Sequence, residues 1–289
     1  MIKLMYITND VQVARIAEEA GVDRIFVDLE TLGKAERQGG MDTVQSKHTV
    51  ADVERMRSAV TGSKLLVRVN PIHDGSSEEI NSVIAAGADI VMLPMYKTPR
   101  EAEKFISFVG GRAKTMLLLE TKEADACLCE TLELDGIDEM YIGLNDLHLS
   151  YGRRFMFELL ADGTVERITR RIAQRGIPYG FGGIAAIGTG TLPAERILAE
   201  HVRLGSSSVI LSRSFCNYEK ISDYGEIKRI FDGGVKALRD EEAALRAKDE
   251  AFFEENRRIV KSITENIAEG MANETADNGR MAGDGRHAQ

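Results

Sequence analysis

Residues 87–120 read GADIVMLPMYKTPREAEKFISFVGGRAKTMLLLE. Two short apolar runs, Ile90–Met95 and Thr115–Glu120, flank a stretch of helical period. Thr98 and Pro99 stand where a helix cap and its first turn belong, and Gly110 stands where the helix must stop. Runs as continuously apolar as DIVMLP and KTMLLLE suit a parallel sheet covered on both faces. The segment therefore reads as strand, helix, strand.

The same alternation continues in both directions. Further strands are predicted at Leu4–Thr8, Arg24–Glu30, Lys64–Asn70, Met140–Asp146, Tyr179–Ile184 and Ser208–Ser214, most of them followed by a stretch of helical spacing that closes on glycine. Eight β/α units in residues 1–223 predict a (β/α)8 TIM barrel core. Pattern alone does not show closure, so an open doubly wound sheet remains the alternative. Residues 224–271 read as an extended, charged helical arm with an apolar stripe of Leu238, Leu245, Phe252, Ile259, Ile263 and Ile267. Burial against a second subunit, by exchange of the last helix, is the expected fate of that stripe. A hairpin onto the chain's own barrel, broken near Gly233 and Gly234, is the alternative. Residues 272–289 are polar and Gly-rich and read as a disordered tail.

Composition narrows the class. The chain has 289 residues, 43% of them hydrophobic and 29% charged, enough for one large domain without staples. Its net charge of −9, the absence of Trp and an aromatic content of 6% argue against nucleic-acid binding. Cys127, Cys129 and Cys216 form no ligand-like grouping, and the opening MIKLMYITND has no signal-peptide pattern, so a cytoplasmic protein is expected. No apolar run is long enough for a membrane span.

Catalytic groups of such barrels come from the carboxyl ends of strands. Those ends supply Asp28, Glu30, Arg68, Asn70, Pro94, Glu120, Asn145, Asp146, Ser212 and Arg213. A charged side chain ending an apolar strand is costly to bury unless it is paired or holds a metal. Glu120 and Asp146 sit on neighbouring strands, so their carboxylates can converge on one hard cation such as Mg²⁺. Arg68 offers a planar fork of donors to a carboxylate or an enolate oxygen. Alternative roles stay open: Glu120 as a helix cap, Asp146 as a turn residue, one of Asp28 and Glu30 as a partner of an Arg or Lys, and Arg68 as a structural ion-pair partner. The histidines His48, His73, His148, His201 and His287 are scattered, and GFGGIAAIGTG (residues 180–190) fits close barrel packing better than a phosphate loop.

At these positions the chain resembles the HpcH/HpaI aldolase and citrate lyase β-subunit family of phosphoenolpyruvate/pyruvate-binding barrels. The resemblance rests on IFVDLE (25–30), LLVRVNP (65–71), GADIVMLPMYKTPREAEKF (87–105), LLLETKEA (117–124) and YIGLNDLHLSYG (141–152), in that order. It implies a carbon–carbon lyase of class II aldolase type, dependent on Mg²⁺ or Mn²⁺, whose substrate yields a small 2-oxo acid such as pyruvate together with an aldehyde. It places the metal on Glu120 and Asp146 and the enolate on Arg68. The acidic pair falls on Asp28 and Glu30, and Gly143, Leu144 and Asn145 fall at the substrate-binding end of strand six. It also implies a homo-oligomer, a dimer or a trimer of dimers. Two departures stand out: the family's His and Asp pair falls on Thr31 and Ala85, leaving Lys47 and His48 as candidate replacements. Two other functions remain open, a non-catalytic barrel that binds a 2-oxo acid and metal, and a malyl- or citramalyl-type CoA-thioester lyase.

Overall fold

Parallel strands joined by helices need crossover connections, and a uniform hand of crossover carries a twisted sheet round towards its first strand. The structure, a computed structural model, describes residues 1–33 and 48–284, with side chains through residue 273. Its first half runs β1 (Lys3–Ile7), α1 (Val11–Glu19), β2 (Arg24–Asp28), α2 (Val50–Ala59), β3 (Lys64–Arg68), α3 (Ser76–Ala85), β4 (Ile90–Leu93), α4 (Pro99–Val109) and β5 (Lys114–Leu119). The second half runs α5 (Lys122–Ala126), α6 (Leu128–Thr131), β6 (Glu139–Ile142), α7 (Leu144–Ser150), α8 (Glu158–Ala161), α9 (Thr164–Gln174), β7 (Tyr179–Ile184), α10 (Ala194–Arg203), β8 (Ser208–Leu211), α11 (Tyr224–Leu245) and α12 (Glu250–Asp284). β1 pairs in parallel with β2 on one side and with β8 on the other, so the sheet is a closed barrel rather than an open one.

A local device recurs on the way into the even strands. Gly21, Gly87 and Gly136 adopt positive φ, each two residues before an aspartate. The carboxylates of Asp23, Asp89 and Asp138 then accept the amide of Leu4, Leu65 and Thr115 at 2.7, 2.8 and 2.8 Å. Each even strand is thereby pinned to its odd neighbour at the amino end of the barrel. In the last quarter Gly205 keeps the positive φ, and the carbonyl of Ser207 accepts the Lys3 amide at 2.8 Å. Inside, Met5, Phe26, Leu66, Met92, Met116 and Tyr141 fill the barrel. Its floor is sealed by Arg24 and Glu139, which share two hydrogen bonds of 2.8 and 2.7 Å and are almost fully buried. A bidentate fork is the geometry in which such a pair can offset its desolvation.

Several strands stop sooner than the apolar pattern predicts. The largest difference is at the sixth, expected to reach Asp146: it ends at Ile142, and Leu144–Ser150 forms α7. Leu144, Leu147 and His148 are buried at helical spacing, which a strand could not achieve. The arm also divides. Its first part, α11, packs against α1 and α10 as the eighth barrel helix, burying Ile227, Phe231, Val235, Leu238 and Leu245. Its Glu242 accepts the Ile2 amide at 2.8 Å and its Arg239 reaches Asp23 at 2.7 Å. The chain turns at residues 246–249, not at Gly233 and Gly234, which lie inside α11. A Cβ on Gly234 would come within 2.7 Å of the Phe215 ring, so that glycine serves close packing rather than a break. α12 folds back across α8 and α10 with Asn256, Val260 and Thr264 buried. Its helical backbone continues to Asp284, through residues whose composition alone reads as a disordered tail. Among the described residues no helix is long and apolar enough to cross a membrane.

Candidate active site

The carboxyl ends of the strands open into a cavity of about 800 Å³. Arg68, at the end of β3, is held there by acids from β2. Its Nε and Nη2 donate to the two oxygens of Asp28 at 2.8 and 2.9 Å, and Nη2 also lies 3.3 Å from Glu30. Burial works against the guanidinium charge, but Asp28 and Glu30 outweigh it and hold the group firmly protonated. The fork fixes the plane of the guanidinium through Nε and Nη2 and leaves Nη1 with no hydrogen bond among the described residues. Asp28 and Glu30, expected among the catalytic residues, both pair with Arg68 and so help to aim its guanidinium.

Glu120 follows β5 and is almost fully buried. Among the described residues its carboxylate accepts one hydrogen bond, from the Met95 amide at 3.0 Å. Met95 is, among the described residues, the one non-glycine residue at positive φ, 53°, a conformation that side chains avoid unless their surroundings impose it. The strained turn after β4 therefore delivers an amide to Glu120. Burial pushes the Glu120 carboxyl up to about 8, Arg68 opposes the rise, and the charges of Asp146 and Glu30 add to it. Room for the side chain comes from Gly143: a Cβ there would fall 2.7 Å from Glu120 Oε2. Asn145 and Asp146 lie in the first turn of α7 and line the same cavity with Gly143 and Leu144.

His48 also lines the cavity. Its Nδ1 accepts the Asp28 amide at 3.0 Å, so a neutral ring carries its proton on Nε2. Lys47 lies outside the described residues. Thr31 is exposed and donates to Asn70 Oδ1, through its amide at 2.8 Å and its hydroxyl at 3.3 Å. Ala85, set against the family's Asp, is exposed at the far end of α3 from the cavity. The acid that α3 brings to the strand ends is Glu79, which accepts from Asn70 Nδ2 at 2.7 Å and lies 3.3 Å from His73 Nε2. His148 is buried with Nδ1 on the Leu144 carbonyl, His201 is buried behind β7, and His287 lies outside the described residues.

Two contributors escape a reading by strand ends. Tyr141 faces the barrel interior, where its hydroxyl donates to the Gly182 carbonyl at 2.6 Å and accepts the Ile210 amide at 2.9 Å. It bridges the register shift between β7 and β8 at Gly180–Gly183. A Cβ on Gly180 would fall 2.3 Å from the Ser208 carbonyl, so the Gly-rich segment is indeed a packing feature. Met95 is the other, signalled in sequence only by the proline before it.

No group of three or more His, Cys, Asp or Glu among the described residues has the arrangement of a metal cage. Glu120 and Asp146 fit a different donor set. Two hard carboxylates suit an ion that keeps waters and substrate oxygens for its other positions, the habit of Mg²⁺ and Mn²⁺. The cradle at Gly143 and the burial of Glu120 beside other carboxylates accord with that use.

A sequence model of the HpcH/HpaI aldolase/citrate lyase family matches residues 3–158, more than half of the chain. No curated protein matches. Among solved structures, an HpcH/HpaI aldolase from Desulfitobacterium hafniense DCB-2 is similar with a TM-score of 0.56 at 16% identity, covering 83% of this chain and 93% of that one. An HpcH/HpaI aldolase/citrate lyase family protein from Burkholderia cenocepacia J2315 is similar with a TM-score of 0.59 at 14% identity, over 78% and 94% of the two chains. The citrate synthase SbnG is similar with a TM-score of 0.57 at 14% identity, over 83% and 94%. At these identities the structural likeness speaks for the fold alone.

Proposed function

The chain belongs to the HpcH/HpaI aldolase/citrate lyase family, and from that membership we propose a divalent-metal-dependent carbon–carbon lyase of class II aldolase type. It would cleave or form the aldol of a small 2-oxo acid through a pyruvate-like enolate, with an aldehyde as the second product. The observation that carries the proposal is the meeting of buried Glu120, Asp146 and a pre-aimed Arg68 in one cavity. Glu120 and Asp146 would hold Mg²⁺ or Mn²⁺, which when bound supplies Lewis acidity to the substrate's ketone oxygen.

The chain's own residues do the rest. Arg68 Nη1 donates to the substrate oxygen on which negative charge develops, and because Asp28 already fixes the guanidinium, little reorganisation accompanies the reaction. His48, its ring held through Nδ1 by the Asp28 amide, lines the same cavity and would take part in catalysis there. Gly143, Leu144 and Asn145 form the wall against which the 2-oxo acid lies. The distal part of α12 is read as an assembly surface of a homo-oligomer.

Proton–deuterium exchange at the methyl group of pyruvate tests this reading without knowledge of the aldehyde. Exchange with Mn²⁺ or Mg²⁺, abolished by EDTA and by Glu120→Gln, is expected. Binding of metal and pyruvate without exchange would assign the barrel to a non-catalytic role instead, and turnover confined to CoA esters would assign it to the thioester lyases.

A further inference from the structure

Outside the cavity, a set of polar contacts joins the two short helices that set Glu120 and Asp146. α5 begins just after Glu120, and α7 carries Asp146 in its first turn. Asp125, on α5, is almost fully buried, and its oxygens take the fork of Arg167 from α9 at 2.8 and 2.5 Å. One of those oxygens also accepts the hydroxyl of Tyr151, the residue that ends α7, in a short hydrogen bond. At the opposite side the Lys122 amide donates to Ser150 Oγ at 2.8 Å, so each helix grips the other at two points. α9 holds the third corner.

We propose that Asp125 is a positioning residue whose clamp on Tyr151 and Arg167 sets the separation of Glu120 and Asp146, and through it the affinity for a divalent cation. This rests on the reading of Glu120 and Asp146 as the metal-holding pair. Helices of five and seven residues do not keep their shape unaided, so contacts at the ends away from the ligands, such as the Asp125–Tyr151 bond, help to set how the two helices sit against each other. A buried ion pair is a poor source of net stability, since apolar replacements often serve as well. What the Asp125 fork supplies that an apolar contact would not is direction: three donors from two elements converge on one carboxylate. Partners that hold a metal ligand in place typically matter for affinity by about 10–100-fold.

The test titrates Mn²⁺ into the full-length protein and reads the free ion by electron paramagnetic resonance. Wild type is expected to bind, and Asp125→Asn to bind about ten-fold more weakly. Tyr151→Phe, which loses a single hydrogen bond from a half-exposed ring, is expected to show a smaller loss in the same direction. Near-ultraviolet circular dichroism of both variants should match wild type. Should Asp125→Asn fail to fold, Tyr151→Phe decides. Unchanged Mn²⁺ affinity in the folded variants, whatever their melting temperatures, overturns the clamp as a positioning device and leaves the lyase reading intact. A wild type that binds no Mn²⁺, or a Glu120→Gln variant that binds it as well as wild type, overturns the metal site itself and the clamp with it.

Discussion

At the scale of single residues, the site is built by acids that do different jobs in different surroundings. Asp28 and Glu30 surround a guanidinium and stay with it, whereas Glu120 is buried near other carboxylates and is driven up to about 8. Which acids border the cavity was legible in the sequence, because a charge ending an apolar strand is conspicuous. Which acid pairs with Arg68 was not, since the pairing depends on how neighbouring strands register: Asp28 stands directly opposite Arg68. Met95 and His48 were legible only in part, as each hydrogen bond joins a side chain to a backbone amide from another strand end: the Met95 amide donates to the Glu120 carboxylate, and the Asp28 amide donates to His48 Nδ1. A separate residue, His201, is expected to contribute to the acid limb of stability. His201 is buried and stacked on Phe181 with ring centroids 3.8 Å apart, and burial lowers its pKa to about 3. The unfolded chain takes up a proton near pH 6.5 that the folded chain refuses until about pH 3, so stability falls as pH drops through that window. From pH 7 to pH 4 the loss from this group amounts to roughly 3 kcal/mol, at about 1.4 kcal/mol per unit. Denaturant unfolding of His201→Gln at several pH values should show a shallower acid limb by that order. An identical slope would remove His201 as its source.

At the scale of elements, the strand–helix alternation was legible because apolar period and glycine stops agree, and α4 shows why. Thr98 and Glu101 form a reciprocal cap, Pro99 opens the helix and Gly110 closes it at a φ of 57°. The aspartates that pin the even strands could have been found as a repeat of glycine two residues before an acid, a signal spread too widely to stand out in any one unit. The strand-six end was misread because YIGLND continues the apolar run, while the burial of Leu147 and His148 that makes a helix of it depends on the rest of the barrel. Gly143 sits at that switch, with φ in the ordinary negative range at −82°. An alanine there meets no backbone strain but drives its Cβ into Glu120, 2.9 Å from the Glu120 Cβ and 2.7 Å from Oε2. Gly143→Ala is expected to lower stability by about 1–3 kcal/mol, the usual range for overpacking, and to weaken Mn²⁺ binding as the carboxylate is displaced. A thermal melt and an Mn²⁺ titration check this, and a variant equal to wild type in both would show that Glu120 is not confined there.

At the scale of the whole molecule, the arm was half legible. Its apolar spacing announced a buried face, but much of that face lies on the chain's own barrel: α11 fills the eighth helix position and α12 seats Asn256 on Glu200 and Arg196. Farther along α12, Ile263 and Ile267 remain half-buried and Met271 is exposed. If this end is the assembly surface, Ile267→Glu combined with Met271→Glu should lower the mass measured by light scattering without unfolding the barrel. An unchanged oligomeric mass would place the assembly contact elsewhere. Barrel, arm and cavity bear on one claim, that Glu120 and Asp146 hold a divalent ion against a substrate aimed by Arg68. Crystals of the full-length chain soaked with Mn²⁺ and oxalate, a planar mimic of the pyruvate enolate, test it most directly. The account predicts an anomalous-scattering peak between the Glu120 and Asp146 carboxylates, with Arg68 Nη1 on an oxalate oxygen. A peak at another site, or none at full Mn²⁺ loading, would contradict it.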